Sequence, residues 1–417
     1  MSNKTLIKGG CVLSMDRSVG NHAEADVLVE DDVIVEVGQG LRARGAEIID
    51  AADTIVMPGF VDTHRHAWNS LFRNVGAIKE DYGRFFGTDD AYAATLIGLL
   101  GAVEAGITTV VDWPDIASDD VFTRAVAQAH ADSGLRTVLL LSESSQTPTL
   151  GPRSVTAYRS ETPTRPTLAA VSERWVSARE SGHRIHAHAA VDPSDGGVIA
   201  ELGSRGLLAD DVTLVHCTAA DDADLDAVAS SGASVSLTPA VEMTAGIGSP
   251  PLQALIDRGL RPGLGVGGEG EMPGDMFAQM RAANSIQHAT LFDLKLAGKG
   301  GLPNLLTTRD VIRYATVDGA KTAGLDAVTG TLTPGKQADI VVLRADRPNI
   351  APLNDPIGAV VWGMDTSNID WVLVGGSALV REGSLVADVE RARNLAMTAH
   401  EKVGRASGLL TGAGERK

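Results

Sequence analysis

The sequence predicts an α/β fold: a TIM-type (β/α)8 barrel, plus a small β-sandwich domain built from the two ends of the chain. Three observations predict it. From Ile55 to about Ala323, apolar β-branched runs alternate with helical stretches, the pattern of parallel βα units. Before and after that region, short β-rich runs with Gly- and Asp-containing turns replace the helices. The length, 417 residues, suits a barrel of about 250 residues or more with a small companion.

The elements follow in order. The first part of the sandwich spans 1–55, with strands at 5–13, 25–30 and 33–37 and a turn at Asp31-Asp32. The barrel is expected over 56–329. Its strands are predicted at 55–62, 108–112, 136–141, 184–189, 212–217, 233–238 and 261–267, with helices such as 91–105, 119–133, 168–181 and 221–231 between them. That gives seven strands where closure needs eight. The missing strand should fall between Ser142 and Pro166, where 154–160 is a weak candidate for a degraded or shortened fourth unit. A helix at 308–323 precedes the second part of the sandwich, 330–385, with strands at 339–343, 359–362 and 371–374. A C-terminal helix at 387–403 and a frayed tail occupy 386–417.

Composition bounds the function. A net charge of −17, from 53 acidic and 36 basic residues, repels nucleic acid and anionic membranes, so neither is expected as a partner. Two cysteines, Cys11 and Cys217, cannot form a disulfide framework. The first ten residues do not read as a signal peptide, and no apolar run reaches 18 residues. A cytoplasmic protein is expected. Aromatics make up 4% of the chain, so the core should be aliphatic.

The histidines carry the chemistry. His64 and His66 lie just past the strand that begins at Ile55, two residues apart and therefore on one face. His188, two residues after His186, ends the strand at 184–189, and His216 ends the next. Imidazoles gathered at the C-terminal end of parallel strands stand where barrel active sites lie, and they suit one divalent ion such as zinc, iron or manganese. His22, His130, His183, His288 and His400 read as ordinary core or surface histidines.

The run Met57-Pro58-Gly59-Phe60-Val61-Asp62-Thr63-His64-Arg65-His66 resembles the strand-one motif of the amidohydrolase superfamily. The nearest branch is the triazine hydrolase and cytosine or guanine deaminase-like group. Residues 101–112 (GAVEAGITTVVD) resemble the second barrel unit of that branch, Gly274-Asp275-Met276-Phe277 with Met280-Arg281 its helix after strand eight, and 330–343 (GTLTPGKQADIVVL) its return to the sandwich. The resemblance implies metal ligands at His64, His66 and His188. It implies His216 at the metal or at the water and substrate beside it. No lysine lies near 136–141 or in the candidate fourth strand, so a carbamylated-lysine dinuclear site is not expected and a single ion, zinc foremost, is. Relatives of this kind are commonly dimers or larger, which makes a homo-oligomer the expectation.

Two departures stand out. Deaminating relatives carry a glutamate three residues after the strand-five histidine, where this chain has Val191. Nearly all relatives end strand eight in an aspartate that binds metal and acts as base, where this chain has Gly267. His216 then remains as a histidine base, and Glu269 or Glu271 could serve if their loop folds inward. Trp68, Asn69, Trp113 and Glu143 are candidates to line the substrate site, with Glu143 as a further acid. The expected activity is metal-dependent hydrolysis of a C–N or similar bond in a small molecule, with cyclic molecules among the candidates. The alternatives are a metal-dependent lyase, isomerase or decarboxylase, and a metal-free scaffold.

Overall fold

The computed structural model describes residues 3–76, 82–117, 119–142 and 146–410. Eight strands run parallel and in sequence order as one sheet: Phe60–Arg65, Ile107–Asp112, Arg136–Leu141, Ser154–Ser160, Ile185–Ala189, Val212–His216, Ser234–Leu237 and Gly263–Leu264. The first and last meet through the Arg65–Gly267 bridge. There the Gly267 N–H donates to the His64 carbonyl and the His66 N–H to the Gly267 carbonyl, each at 2.8 Å. The sheet thus curls into a TIM-type barrel.

The weak fourth strand is real. Ser154–Ser160 pairs with the third strand from Thr137↔Ser154 to Leu141↔Tyr158, and with the fifth from Tyr158↔Ile185 to Ser160↔Ala187. Its alternation explains its faint signal. Tyr158 packs outward with Leu168, Val171 and Trp175, and the Trp175 indole donates to Ser160 Oγ at 2.7 Å. Ala157 packs inward with Val111, Trp113 and Val138, and Arg159 shares its side. The unit is shortened: the third and fourth strands are joined with no helix among the described residues.

Four expected elements differ. The stretch at 55–62 splits at Gly59. Thr54–Pro58 belongs to the sheet of the chain ends, and Phe60–Arg65 opens the barrel. A Cβ at Gly59 would lie 2.1 Å from Thr108 Cγ2, so only glycine permits this close crossing. The eighth strand shrinks to Gly263–Leu264 in its glycine-rich run. The predicted strand at 359–362 is instead a helical turn, Ala359–Gly363, because Asp355 and Pro356 start a helix immediately before it. The helix at 308–323 is two, Thr308–Tyr314 and Val317–Thr322.

The chain ends build a second, nine-stranded sheet. Thr54–Pro58 joins its halves: it pairs parallel with Lys4–Leu13 and antiparallel with Ile340–Arg344. Ile7, Val27, Val29 and Val56 from one end pack with Ile340, Val342 and Leu373 from the other. Each such fully buried aliphatic side chain contributes about 1.5–3 kcal/mol. The C-terminal helix, Val389–Ser407, packs Ala392 against Leu96 and Leu100 of Thr88–Glu104. No helix among the described residues is long and apolar enough to cross a membrane.

Candidate metal centre

The barrel strands deliver four histidines to one end. His64 lies on the first strand and His66 just beyond it, with ring centres 4.8 Å apart. His188, on the fifth strand, places its ring 4.9 Å from His64, with Nε2 to Nε2 at 3.1 Å. Donor atoms of His64, His66 and His188 all lie within 4.8 Å of one another, the one such group among the described residues. His216 closes the sixth strand with its ring 5.0 Å from His188 and 5.5 Å from His64. It stands beside the trio but outside it.

Backbone geometry turns these side chains inward. Ala190, His216 and Cys217 take positive φ values of 46°, 73° and 55° where the fifth and sixth strands end. Such left-handed residues are uncommon outside glycine and gather at functional sites. They are held by hydrogen bonds from the Cys217 N–H to the Ala189 carbonyl (3.1 Å) and from the Ala219 N–H to the Ala190 carbonyl (2.7 Å).

Electrostatics keep two rings of the trio neutral. Burial, then the neighbouring rings of His66, His188 and His216, holds His64 well below the ordinary imidazole value. Burial, then His216 and His66, does the same to His188. His66 differs: burial works against its charge, but Asp115, 2.8 Å from its Nδ1, more than offsets this and raises it. Below the trio, His186 is fully buried with both ring nitrogens unpaired, and burial lowers it to about 3. Neutral imidazoles are what a divalent ion requires. The 3.1 Å separation of two Nε2 atoms is also near the ~3.4 Å edge implied by tetrahedral zinc with Zn–N lengths of about 2.0–2.1 Å. The donor set therefore fits such an ion.

Sequence reasoning missed Glu242. It lies on Pro239–Thr244, the helical turn after the seventh strand, and is fully buried. Its Oε1 sits 2.9 Å from His216 Nδ1 and accepts the Thr238 N–H at 2.9 Å. Being five residues past its strand, it carried no strand-end signal. A glutamate in the apolar run Pro239-Ala240-Val241 was the available clue.

The two glutamates proposed as bases are placed otherwise. Glu269 is buried, with one oxygen on the Arg65 guanidinium and the other 2.9 Å from Arg73 Nε. Arg65 also donates to Asp62 (2.7 Å) and to the Gly274 carbonyl (2.7 Å). Two arginines thus claim the carboxylate, which clamps the loop after strand eight onto strand one. Glu271 is exposed on that loop, and the metal-capable group includes neither residue. Replacing Glu269 by alanine is expected to destabilise the fold by about 3 kcal/mol, because Arg65 stays buried with less compensation. Zinc content should not change. Urea unfolding and metal analysis of the variant check both statements, and an unchanged midpoint would contradict the first.

Gly267 occupies the position expected for the missing carboxylate, at φ +71°. A Cβ there would meet Thr238 Cγ2 at an ordinary 3.4 Å, so space does not exclude a side chain.

Of the proposed lining residues, Trp113 meets the site. Its ring stacks on His188 at 4.1 Å with a 3° interplanar angle, and both line a cavity of about 590 Å³ with Asp115, Tyr158 and Arg159. Trp68 does not: it packs against Tyr82 and Phe86 in a separate apolar cluster. Asn69 accepts a hydrogen bond from the Tyr82 hydroxyl at 2.7 Å and does not line that cavity. Glu143 lies outside the described residues.

Comparison with known proteins agrees with this fold. The Amidohydrolase family model matches residues 55–379. The 5'-deoxyadenosine deaminase of Methanosarcina mazei is 27% identical over 95% of this chain and 98% of its own. The 5-methylthioadenosine/S-adenosylhomocysteine deaminase of Halobacterium salinarum is 27% identical over the full length of both. Among solved structures, a zinc-bound adenosine deaminase from Xanthomonas campestris superposes with a TM-score of 0.81 at 20% identity, covering 97% of this chain and 99% of the other. A zinc complex of atrazine chlorohydrolase from Arthrobacter aurescens gives 0.79 at 21% identity, covering 95% and 100%.

Proposed function

The chain belongs to the amidohydrolase family, and from that premise we propose that it is a mononuclear, zinc-dependent hydrolase cleaving a C–N or similar bond of a small cyclic molecule. The observation that carries this reading is the His64, His66 and His188 trio at the C-terminal mouth of the barrel. These three residues would hold the ion. When bound, such an ion acidifies water and polarises the bond under attack.

The chain's own residues supply the rest. His216 takes up a proton at Nε2, because the Glu242 carboxylate can only accept and so keeps the other proton on Nδ1. Trp113, flat against His188, braces that ligand and contributes to the cavity beside it. Names of the relatives point to amino-substituted heterocycles and their nucleosides as the first class to try. We further infer a cytoplasmic homo-oligomer, a dimer or larger, that binds no nucleic acid.

A second reading has its own support. Val191 and Gly267 stand where two carboxylates are expected, so the site lacks the usual acid and base. A lyase, isomerase or decarboxylase, in which the ion would only hold an anionic intermediate, has no water to activate. The test is ammonia release from a panel of aminated purines, pyrimidines, triazines and adenine nucleosides, using protein loaded with zinc. Release that chelation abolishes is expected. Panel members converted without gain of the elements of water would transfer the assignment to the second reading.

A further inference from the structure

We propose that Asp115 has taken over the carboxylate role at this centre: it fixes His66 as a donor and supplies negative charge that Gly267 does not carry. The inference rests on the metal-site reading above. Asp115 lies three residues beyond the second barrel strand, Ile107–Asp112, on a loop tied to the histidine-bearing strand by a hydrogen bond from the Trp113 N–H to the Arg65 carbonyl at 2.7 Å. The loop is closed further by the Asp115 N–H on the Trp113 carbonyl (3.1 Å) and the Ala117 N–H on the Pro114 carbonyl (3.0 Å).

The carboxylate is oriented through both oxygens. Oδ2 lies 2.8 Å from His66 Nδ1, and Oδ1 lies 3.3 Å from Arg159 Nη1. Arg159 comes from the fourth strand and also donates to the Pro114 carbonyl at 3.0 Å, so that strand braces the loop. A carboxylate can only accept. At ion-pair distance, though off the ring N–H axis, it favours the His66 proton on Nδ1 and so leaves the Nε2 lone pair for a cation, as an outer carboxylate does for a ligating histidine.

Elimination leads to the same residue. Three neutral imidazoles leave both charges of a divalent ion uncompensated. The other buried carboxylates nearby are engaged. Asp62 takes Arg65 and the Val266 N–H. Asp112 takes His130 and the Ala67 N–H. Glu269 takes Arg65 and Arg73, and Glu242 faces His216. Asp62 also accepts the His64 backbone N–H (3.3 Å), but among the described residues Asp115 is the carboxylate that meets a ring nitrogen of the trio. It is half-exposed and lines the cavity shared by Trp113, Arg159 and His188, so it is open to the ligand side. Asp115 is thus a positioning residue whose charge belongs to the metal centre, moved from the eighth strand to the loop of the second.

The test is zinc affinity, measured by competition with a chromophoric chelator for wild type, D115N, D115A and D115E. D115N and D115A should bind about 10–100-fold more weakly, the usual worth of such an outer ligand. D115E should retain most of the affinity, and adding Gly267→Asp to D115N should recover part of what was lost. In zinc-free wild type, histidine ¹⁵N shifts should report the Nδ1–H form of His66, and D115A should disturb it. Zinc-free thermal unfolding checks that the variants fold. If wild type binds zinc and D115A matches it within threefold, the inference is overturned and the metal centre stands. If wild type does not bind zinc at all, the metal-site reading itself falls.

Discussion

Glu242→Gln is expected to lower turnover by about 10²–10⁴-fold, the range associated with general acid–base catalysis, at unchanged zinc content. The reason is directional. Glu242 Oε1 faces His216 Nδ1 at 2.9 Å in a fully buried setting and also accepts the Thr238 N–H. A carboxylate dictates one tautomer, with the proton on Nδ1 and the lone pair on Nε2 toward the site. A glutamine amide can present either its oxygen or its NH₂ group. When it presents NH₂, the histidine flips its proton to Nε2 and ceases to be a base. The charge that stabilises the protonated ring is lost in either case. Steady-state kinetics on any substrate found active check this, with metal analysis in parallel. His216→Ala should cost a similar factor, and the double variant little more, because the two act as a unit. A Glu242→Gln protein with wild-type turnover would locate the base elsewhere.

Replacing His64 and His66 together by alanine is expected to abolish zinc retention through purification. The two rings are 4.8 Å apart and account for two of the three donors in the trio. His188 alone would remain, with no carboxylate at Gly267 to compensate. The barrel should persist, because its closure at this point uses backbone groups: the Gly267 N–H to the His64 carbonyl and the His66 N–H to the Gly267 carbonyl. Far-ultraviolet circular dichroism on the variant checks the fold, and elemental analysis checks the metal. A folded variant that keeps its zinc would place the ion at other residues.

The barrel was legible because its strands are buried on both faces and read as continuous apolar runs, such as Arg136–Leu141 and Val212–His216. The fourth strand was faint because its residues alternate, with Arg159 on the inner side. The turn at Ala359–Gly363 read as a strand because Val360 and Val361 are β-branched, and local propensity yields to the helix start set by Asp355 and Pro356. Histidines at strand ends were legible from spacing alone. Their partners were not. Glu242 and Asp115 lie on connections after strands, and only folding brings them to His216 and His66. Glu269 misled for the converse reason: nearness in sequence to Gly267 suggested the site, while Arg65 and Arg73 draw its carboxylate to the loop.

Elemental analysis of the purified wild-type protein, expressed with zinc, manganese and iron supplied, reads the occupancy of the histidine centre without need of a substrate. Close to one divalent ion per chain, zinc foremost, is expected, held by His64, His66 and His188. A protein that carries no metal under these conditions, or that carries two ions per chain, would contradict it.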